Sequence, residues 1–226
     1  SRPKAAAPTT GARLATAPQT AEAVRLSLML TLLMLIPAMA IWMTPFIRIV
    51  ITLSMIRHAF GMPETPPAPV LGSLALFLAA FIMGPTLTTV NEQALQPFLE
   101  GGLTVDQALE RGSGPLKAFM LQQVNDENLQ TVYQIARKPL PERAADVGLP
   151  ELTVAFMLHE LATAFKIGFV VLLPFLLIDL LVSGILLSLG MMMVPPTSIS
   201  LPIKVLMFVL IDGWSLVLEG LAGGFR

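Results

Sequence analysis

The sequence contains no cysteine, so this chain has no disulfide, no thiolate nucleophile and no cysteine-ligated metal. Its two histidines, His58 and His159, lie far apart outside any HExxH pattern and give little support for a metal site. Charge is also scarce, since 13% of the residues are Asp, Glu, Lys or Arg, against about 25% in globular proteins. The net charge is -1. The chain also lacks the long basic run that is typical of nucleic-acid-binding proteins. We therefore expect no metal, no cofactor and no nucleic-acid partner.

Apolar residues dominate instead, making up 54% of the chain. Residues 167–194 carry a single formal charge, Asp179, and this run is long enough to cross the ~30 Å hydrocarbon core of a membrane. After Pro195 and Pro196 a second apolar segment holds Lys204 and Asp212. We predict a membrane-type helical hairpin that turns at the two prolines. Charges are costly in such segments, which makes all three charged residues candidates for function.

The distribution of apolar residues divides the chain into four regions. Residues 1–25 are rich in Ala, Pro and Thr and are predicted to form a mobile lead. Residues 26–90 form a first apolar helical pair, in which Arg48 either reaches an interface or is paired inside an assembly. Residues 91–166 hold ten of the fifteen acids and six of the fourteen Lys and Arg, as in a polar helical insertion. Residues 167–226 complete the apolar hairpin.

Local signals place helices within the polar insertion. Thr104 and Gln107 form a capping-box pattern, and Pro115 suits the first position of a helix. We predict helices near 105–111, 115–124 and 127–137. A further helix starting at Pro150 has no stop signal, and we expect it to continue into the hairpin and to bend at Pro174.

The spacing of the three hairpin charges predicts how they pair. With straight helices that reverse at the two prolines, Asp179 lies sixteen residues before the turn and Asp212 sixteen after it. Lys204 lies eight residues after the turn, about 12 Å from the level of the acids. We therefore expect Lys204 to meet Asp179 of a neighbouring subunit rather than of its own hairpin. A solvated, unpaired Lys204 is the alternative.

Two acids in apolar segments also suggest an intramembrane aspartic protease, in which two carboxylates share a proton. The chain lacks the Gly-x-Gly-Asp signature of such enzymes: Asp179 and Asp212 each follow a Leu-Ile pair. We expect no catalytic site. Buried charges and proline-broken helices favour an oligomer that encloses a passage.

Several motifs identify a family when taken together. The segments GMMMVPP, ISLP and IDGW occur in this order in the last third of the chain, and TPFIRIVITLSMIRHAFG, TPP, GSLALFLAAFIMGP and NEQALQPFL precede them. This combination resembles the FliP family, core subunits of the flagellar type III protein export gate, over about residues 26 to 226. Subunits of the SctR group from injectisomes, which are virulence secretion systems, are similar and remain an alternative. A small-solute or ion channel is a third one.

The resemblance implies an all-α subunit that assembles into a ring or helical oligomer of several copies. Its implied partners are FliQ-like, FliR-like, FlhB-like and FlhA-like export components, unfolded flagellar substrates and membrane lipid. It also implies a multi-pass protein of the bacterial inner membrane at the flagellar basal body. The basic residues of the chain give conflicting orientations, and the resemblance favours a periplasmic insertion.

Met191, Met192 and Met193 lie directly before the two prolines. Thioether side chains are apolar and adaptable, so a ring of them from several copies would close a pore to water and yield to a passing chain. This interpretation matches the methionine-rich loop of the FliP family. Ordinary loop packing is the alternative for this methionine-rich chain.

Overall fold

The computed structural model describes residues 27, 30, 34, 41–62 and 64–224. The chain divides into two units, Ser1–Ala40 and Ile41–Arg226, and the elements below belong to the second. The predicted lead, residues 1–25, lies outside the described residues. In the part of the chain that is described, every regular element is helical, which confirms the predicted all-α fold.

Among the described residues of the second unit, eleven helical elements have defined bounds. They are α1 (Phe46–Ala59), α2 (Ala68–Ile82), α3 (Gly84–Val90), a π-helical turn (Asn91–Leu95), α4 (Gln96–Leu99), α5 (Val105–Gln123), α6 (Asp126–Ile135), a 3-10 turn (Ala144–Asp146), α7 (Leu149–Ser188), α8 (Pro196–Leu210) and α9 (Gly213–Ala222).

Helix α7 packs against more of the other helices than any other element does. It has 40 residues, which gives a length of about 60 Å, and it contacts α1, α5, α6, α8 and α9. Pro150 stands in its first turn, where a missing N–H removes no helical hydrogen bond. The helix runs through Lys166 without interruption, as predicted, and contains Pro174. The predicted boundary between the polar insertion and the apolar hairpin, at residue 166, therefore lies inside one helix and separates its polar half from its apolar half.

Two apolar clusters pack against α7, one on each half of the helix. The first joins α1, α2, α8 and α9 to the apolar half and has Leu53, Ala75, Phe175 and Phe208 among its buried members. The second joins α5 and α6 to the polar half around Met120, Tyr133, Leu152 and Phe156. The polar insertion thus has a small core of its own and shares α7 with the apolar helices.

Helix α5 corrects one sequence prediction. The capping box is present: the Gln107 N–H donates to Thr104 Oγ1, and the Gln107 side chain accepts from the Thr104 N–H. The helix then continues through Pro115 to Gln123, so the predicted break before Pro115 is wrong. Packing against α3 and the π-helical turn holds α5 together and outweighs the hydrogen bond that proline removes.

By length and composition, α7 is the one described helix that is apolar enough to cross a membrane by itself. Two bent pairs pass the same test when each is taken as a single span. Helix α2 and residues 84–99 meet at 65°, and α8 and α9 meet at 66°. Large apolar side chains remain exposed along α7 and α8, including Leu180, Leu181 and Val209. Such a surface suits contact with lipid or with other protein.

Candidate functional site

The methionines lie on the turn that joins α7 to α8, residues 189–195, here called the methionine turn. Gly190 has a φ of 72°, a left-handed conformation that glycine adopts at no steric cost, and it reverses the chain after α7. The Met191 N–H then donates to the carbonyl of Leu186 at 2.9 Å. Met191, Met192 and Met193 are 44%, 81% and 96% exposed. All three side chains are therefore available to contact something outside the chain.

The two prolines do not form the apex of this turn, which corrects the predicted position. Pro195 is the N-cap residue of α8, and Pro196 is its first residue. A proline fits there because the first N–H of a helix has no intrahelical acceptor. The chain reverses earlier, at Gly190, and the methionines occupy the space between the two helices.

Asp179 and Lys204 form an ion pair inside one chain. Lys204 Nζ lies 2.6 Å from Asp179 Oδ2, and the lysine side chain is 3% exposed. The expectation that a single chain could not bring them together is therefore wrong. It placed the reversal at the prolines, whereas α7 ends at Ser188, nine residues after Asp179, and α8 begins eight residues before Lys204. Asp179 and Lys204 therefore lie at similar distances from the methionine turn, nine and eight residues along their helices, and this brings them to nearly the same level.

Lys204 also joins this pair to a third helix. Its Nζ donates to the carbonyl oxygen of Ala59, the last residue of α1, at 2.9 Å. The last carbonyls of a helix lack intrahelical donors and carry partial negative charge, so a buried ammonium group stabilises this end of α1. One lysine therefore connects α1, α7 and α8 close to the methionine turn.

A second ion pair lies between α1 and the polar half of α7. Arg48 Nη2 donates to Glu160 Oε1, and both side chains are 1% exposed. Of the two interpretations of Arg48, the structure supports pairing, although the partner comes from the same chain. Glu160 was missed by the sequence analysis. In the structure it lies on the buried face of α7, between Phe156 and Ala164, each one turn away.

Asp212 is exposed in the single chain, and its burial within an assembly stays a prediction. It lies between α8 and α9 in a left-handed conformation, with φ 50° and ψ 54°. Its Oδ2 accepts a hydrogen bond from Ser215 Oγ at 2.7 Å. Asp212 and Asp179 therefore have different surroundings and do not form a carboxylate pair of the kind that aspartic proteases use.

No group of three His, Asp or Glu side chains that could hold a metal ion occurs among the residues that the structure describes. The charged residues of the apolar helices are instead used in ion pairs and at a helix end. Their arrangement can fix helices relative to one another. The exposed methionines are the feature that is free to act on something outside the chain.

The sequence of this chain is similar to the sequences of flagellar proteins. The FliP family profile matches residues 29–221. The flagellar biosynthetic protein FliP of Caulobacter vibrioides is 45% identical over 207 residues, which are 92% of this chain and 78% of that protein. The Bacillus subtilis protein of the same name is 43% identical over 202 residues, 89% of this chain and 91% of that protein. The Treponema pallidum protein is 40% identical over 209 residues, 92% and 77% of the two chains.

Proposed function

Because the chain belongs to the FliP family and is thus a component of the flagellar type III export gate, we propose that several copies of it form an export channel. In this proposal unfolded flagellar substrates pass along the axis of the assembly, and the methionine turn closes that axis at rest. The flagellar names of the relatives favour this system over an injectisome.

The exposure of the three methionines is the observation that carries the proposal. A single chain leaves Met192 and Met193 almost fully accessible to solvent, although burying a methionine is favourable by about 1.5–3 kcal/mol. Copies arranged around an axis would bury them against each other. Unbranched thioethers fill irregular gaps, so the seal would close without exact shape matching and would open when a chain is pushed through.

The anchoring of the turn supports the same function. Lys204 holds α8 to α7 and to the end of α1, a few turns away from the methionines. The side chains of the seal are therefore exposed, while the helices on either side of the turn are held together. A gate requires this combination, because it must yield locally without losing its assembly.

Assembly with other components follows from the large apolar surface that a single copy exposes. We propose contacts with further copies, with FliQ-like and FliR-like subunits and with lipid of the inner membrane, with FlhB-like and FlhA-like components nearby. The polar insertion is proposed to be periplasmic. The chain would conduct substrates without a catalytic step, and the energy for transport would come from other components.

The proposal is tested by removing the thioethers. Simultaneous Met191→Ala, Met192→Ala and Met193→Ala substitutions remove volume at the seal but leave the helices intact, because the turn contributes no residue to either apolar cluster. The assembled complex is expected to form and to leak ions and small dyes. Leakage is measured as conductance in planar bilayers and as dye release from vesicles.

The matched control replaces the same three methionines by leucine, which keeps the apolar character and nearly the same volume. We expect the leucine variant to remain closed. An alanine variant that assembles and leaks no more than the parent protein would contradict the seal and support loop packing.

A further inference from the structure

The chain makes a sharp corner between α8 and α9, whose axes meet at 66°. The corner consists of Asp212 and Gly213. We infer that Asp212 is required for the backbone conformation it adopts and not for its charge. We also infer that the corner docks α9 against α1, so that the end of the chain at Gly224 covers the buried Arg48. This inference does not depend on the proposed channel.

The backbone of Asp212 ends α8. Its N–H donates to the carbonyl of Val209 at 3.2 Å. Such a bond commonly closes the last turn of a helix when the residue that donates it is left-handed, as Asp212 is. Glycine adopts this conformation freely, and Asn and Asp adopt it more readily than other residues. Position 212 therefore selects for a small set of residue types.

The carboxylate of Asp212 shows no matching requirement for charge. Its Oδ2 accepts from the neutral Ser215 hydroxyl, which is three residues away on α9. The three ion pairs found among the described residues do not include Asp212. An asparagine side chain presents an oxygen in the same place and can accept the same hydrogen bond.

Gly213 completes the corner because there is no space for a side chain. A Cβ atom at this position would overlap the ring of Phe208. That ring is held by its neighbours, with ring centroids 5.1 Å away at Phe60, 6.2 Å at Phe175 and 5.5 Å at Trp214. Phe208 cannot move aside without disturbing this aromatic group.

The corner directs α9 back to α1. Val217 and Leu221 are buried in the same cluster as Ile49 of α1. Beyond the helix, a Cβ added at Gly224 would lie 2.7 Å from Arg48 Nη1, so this end of the chain covers the arginine. A straight α8 and α9 would instead form one helix over residues 196–222, about 40 Å long, which leads away from α1.

The test uses the absence of natural cysteines. A single cysteine at Leu221, which is buried, reports whether α9 remains docked. The chain is purified in detergent, and the rate of labelling by a small maleimide is measured. We expect Leu221→Cys to stay protected in the parent chain and with Asp212→Asn or Asp212→Gly. With Asp212→Glu or Asp212→Val, labelling is expected to be severalfold faster.

A second cysteine separates undocking of α9 from general unfolding. Ala155→Cys lies buried in the polar half of α7, far along the chain from the corner, and it should stay protected in all five backgrounds. If the valine variant unfolds and exposes both sites, the comparison of Asp212→Glu with Asp212→Asn still decides between charge and conformation.

A second pair of variants tests Gly213. We expect Gly213→Ala to expose the Leu221→Cys reporter, and Phe208→Leu to restore protection in part by making space.

Protection that survives in Asp212→Glu but is lost in Asp212→Asn would overturn the inference, because charge would then be the requirement. Full protection in both the glutamate and the valine variants would also overturn it, since the corner would then tolerate any residue.

Discussion

Arg48 and Glu160 place two opposite charges in the apolar contact between α1 and α7. Breaking a buried ion pair by removing one of its two charges typically costs about 3–5 kcal/mol. We therefore predict that Glu160→Gln strongly destabilises the protein although the two side chains have almost the same shape. Thermal unfolding of the detergent-solubilised protein should show a much lower midpoint.

The Lys138–Glu151 pair provides the control for this prediction. Lys138 Nζ lies 2.5 Å from Glu151 Oε1, but the lysine side chain is 59% exposed. The hydrogen bond to Glu151 raises the pKa of Lys138 above its usual value. Exposed pairs contribute little because water and salt screen them, so Glu151→Gln should lower the unfolding midpoint only slightly. Equal effects of the two substitutions would show that burial of the Arg48–Glu160 pair is unimportant.

Single residues show where sequence reasoning succeeds and where it stops. Asp179 and Lys204 were identified because a charge in an apolar run is visible without any structure. Glu160 was missed because it lies among the acids of the polar insertion, where another carboxylate is not conspicuous. Asp212 was identified from its apolar neighbours, but its left-handed backbone conformation could not be read from them.

At the scale of helices, Lys204 connects α1, α7 and α8. If this pair forms within one chain in the assembly too, the double variant Asp179→Lys with Lys204→Asp should recover much of the assembly that each single variant loses. Co-expression of the two single variants should not recover it, because each chain then carries two like charges. The yield of assembled complex on native gels measures both effects.

The co-expressed single variants are the decisive sample. A lysine at 179 on one chain can meet an aspartate at 204 on another only if the pair forms between subunits. Recovery of the assembled complex in that sample would therefore contradict pairing within one chain. It would show that Asp179 and Lys204 pair between subunits.

The helices themselves were predicted more accurately than their breaks. Thr104 and Gln107 mark the start of α5 through local hydrogen bonds, so its beginning can be read from the sequence. Pro115 suggested a new helix because the cost of an internal proline is a local property. Packing of α5 against distant elements offsets that cost, and such contacts are not visible in the sequence.

For the whole molecule, the orientation of the polar insertion makes a prediction of its own. Asn128 lies on α6 within the acidic insertion. If the insertion is periplasmic, Asn128→Cys in this cysteine-free chain should react with a membrane-impermeant thiol reagent in intact cells. Labelling in intact cells is compared with labelling after the membranes are opened. A signal that arises only in opened cells would place the insertion in the cytoplasm.

Helix α7 has a mechanical consequence for the molecule, because one continuous element joins the core of the polar insertion to the methionine turn. The backbone hydrogen bonds of a helix run along its axis and resist compression, so a push on the polar half of α7 would be passed on towards the methionine turn. Bending is different, because Pro174 has no N–H to donate to the Val170 carbonyl and so weakens the helix against bending at this point. The insertion and the turn are thus rigidly coupled for axial thrust and loosely coupled for tilt.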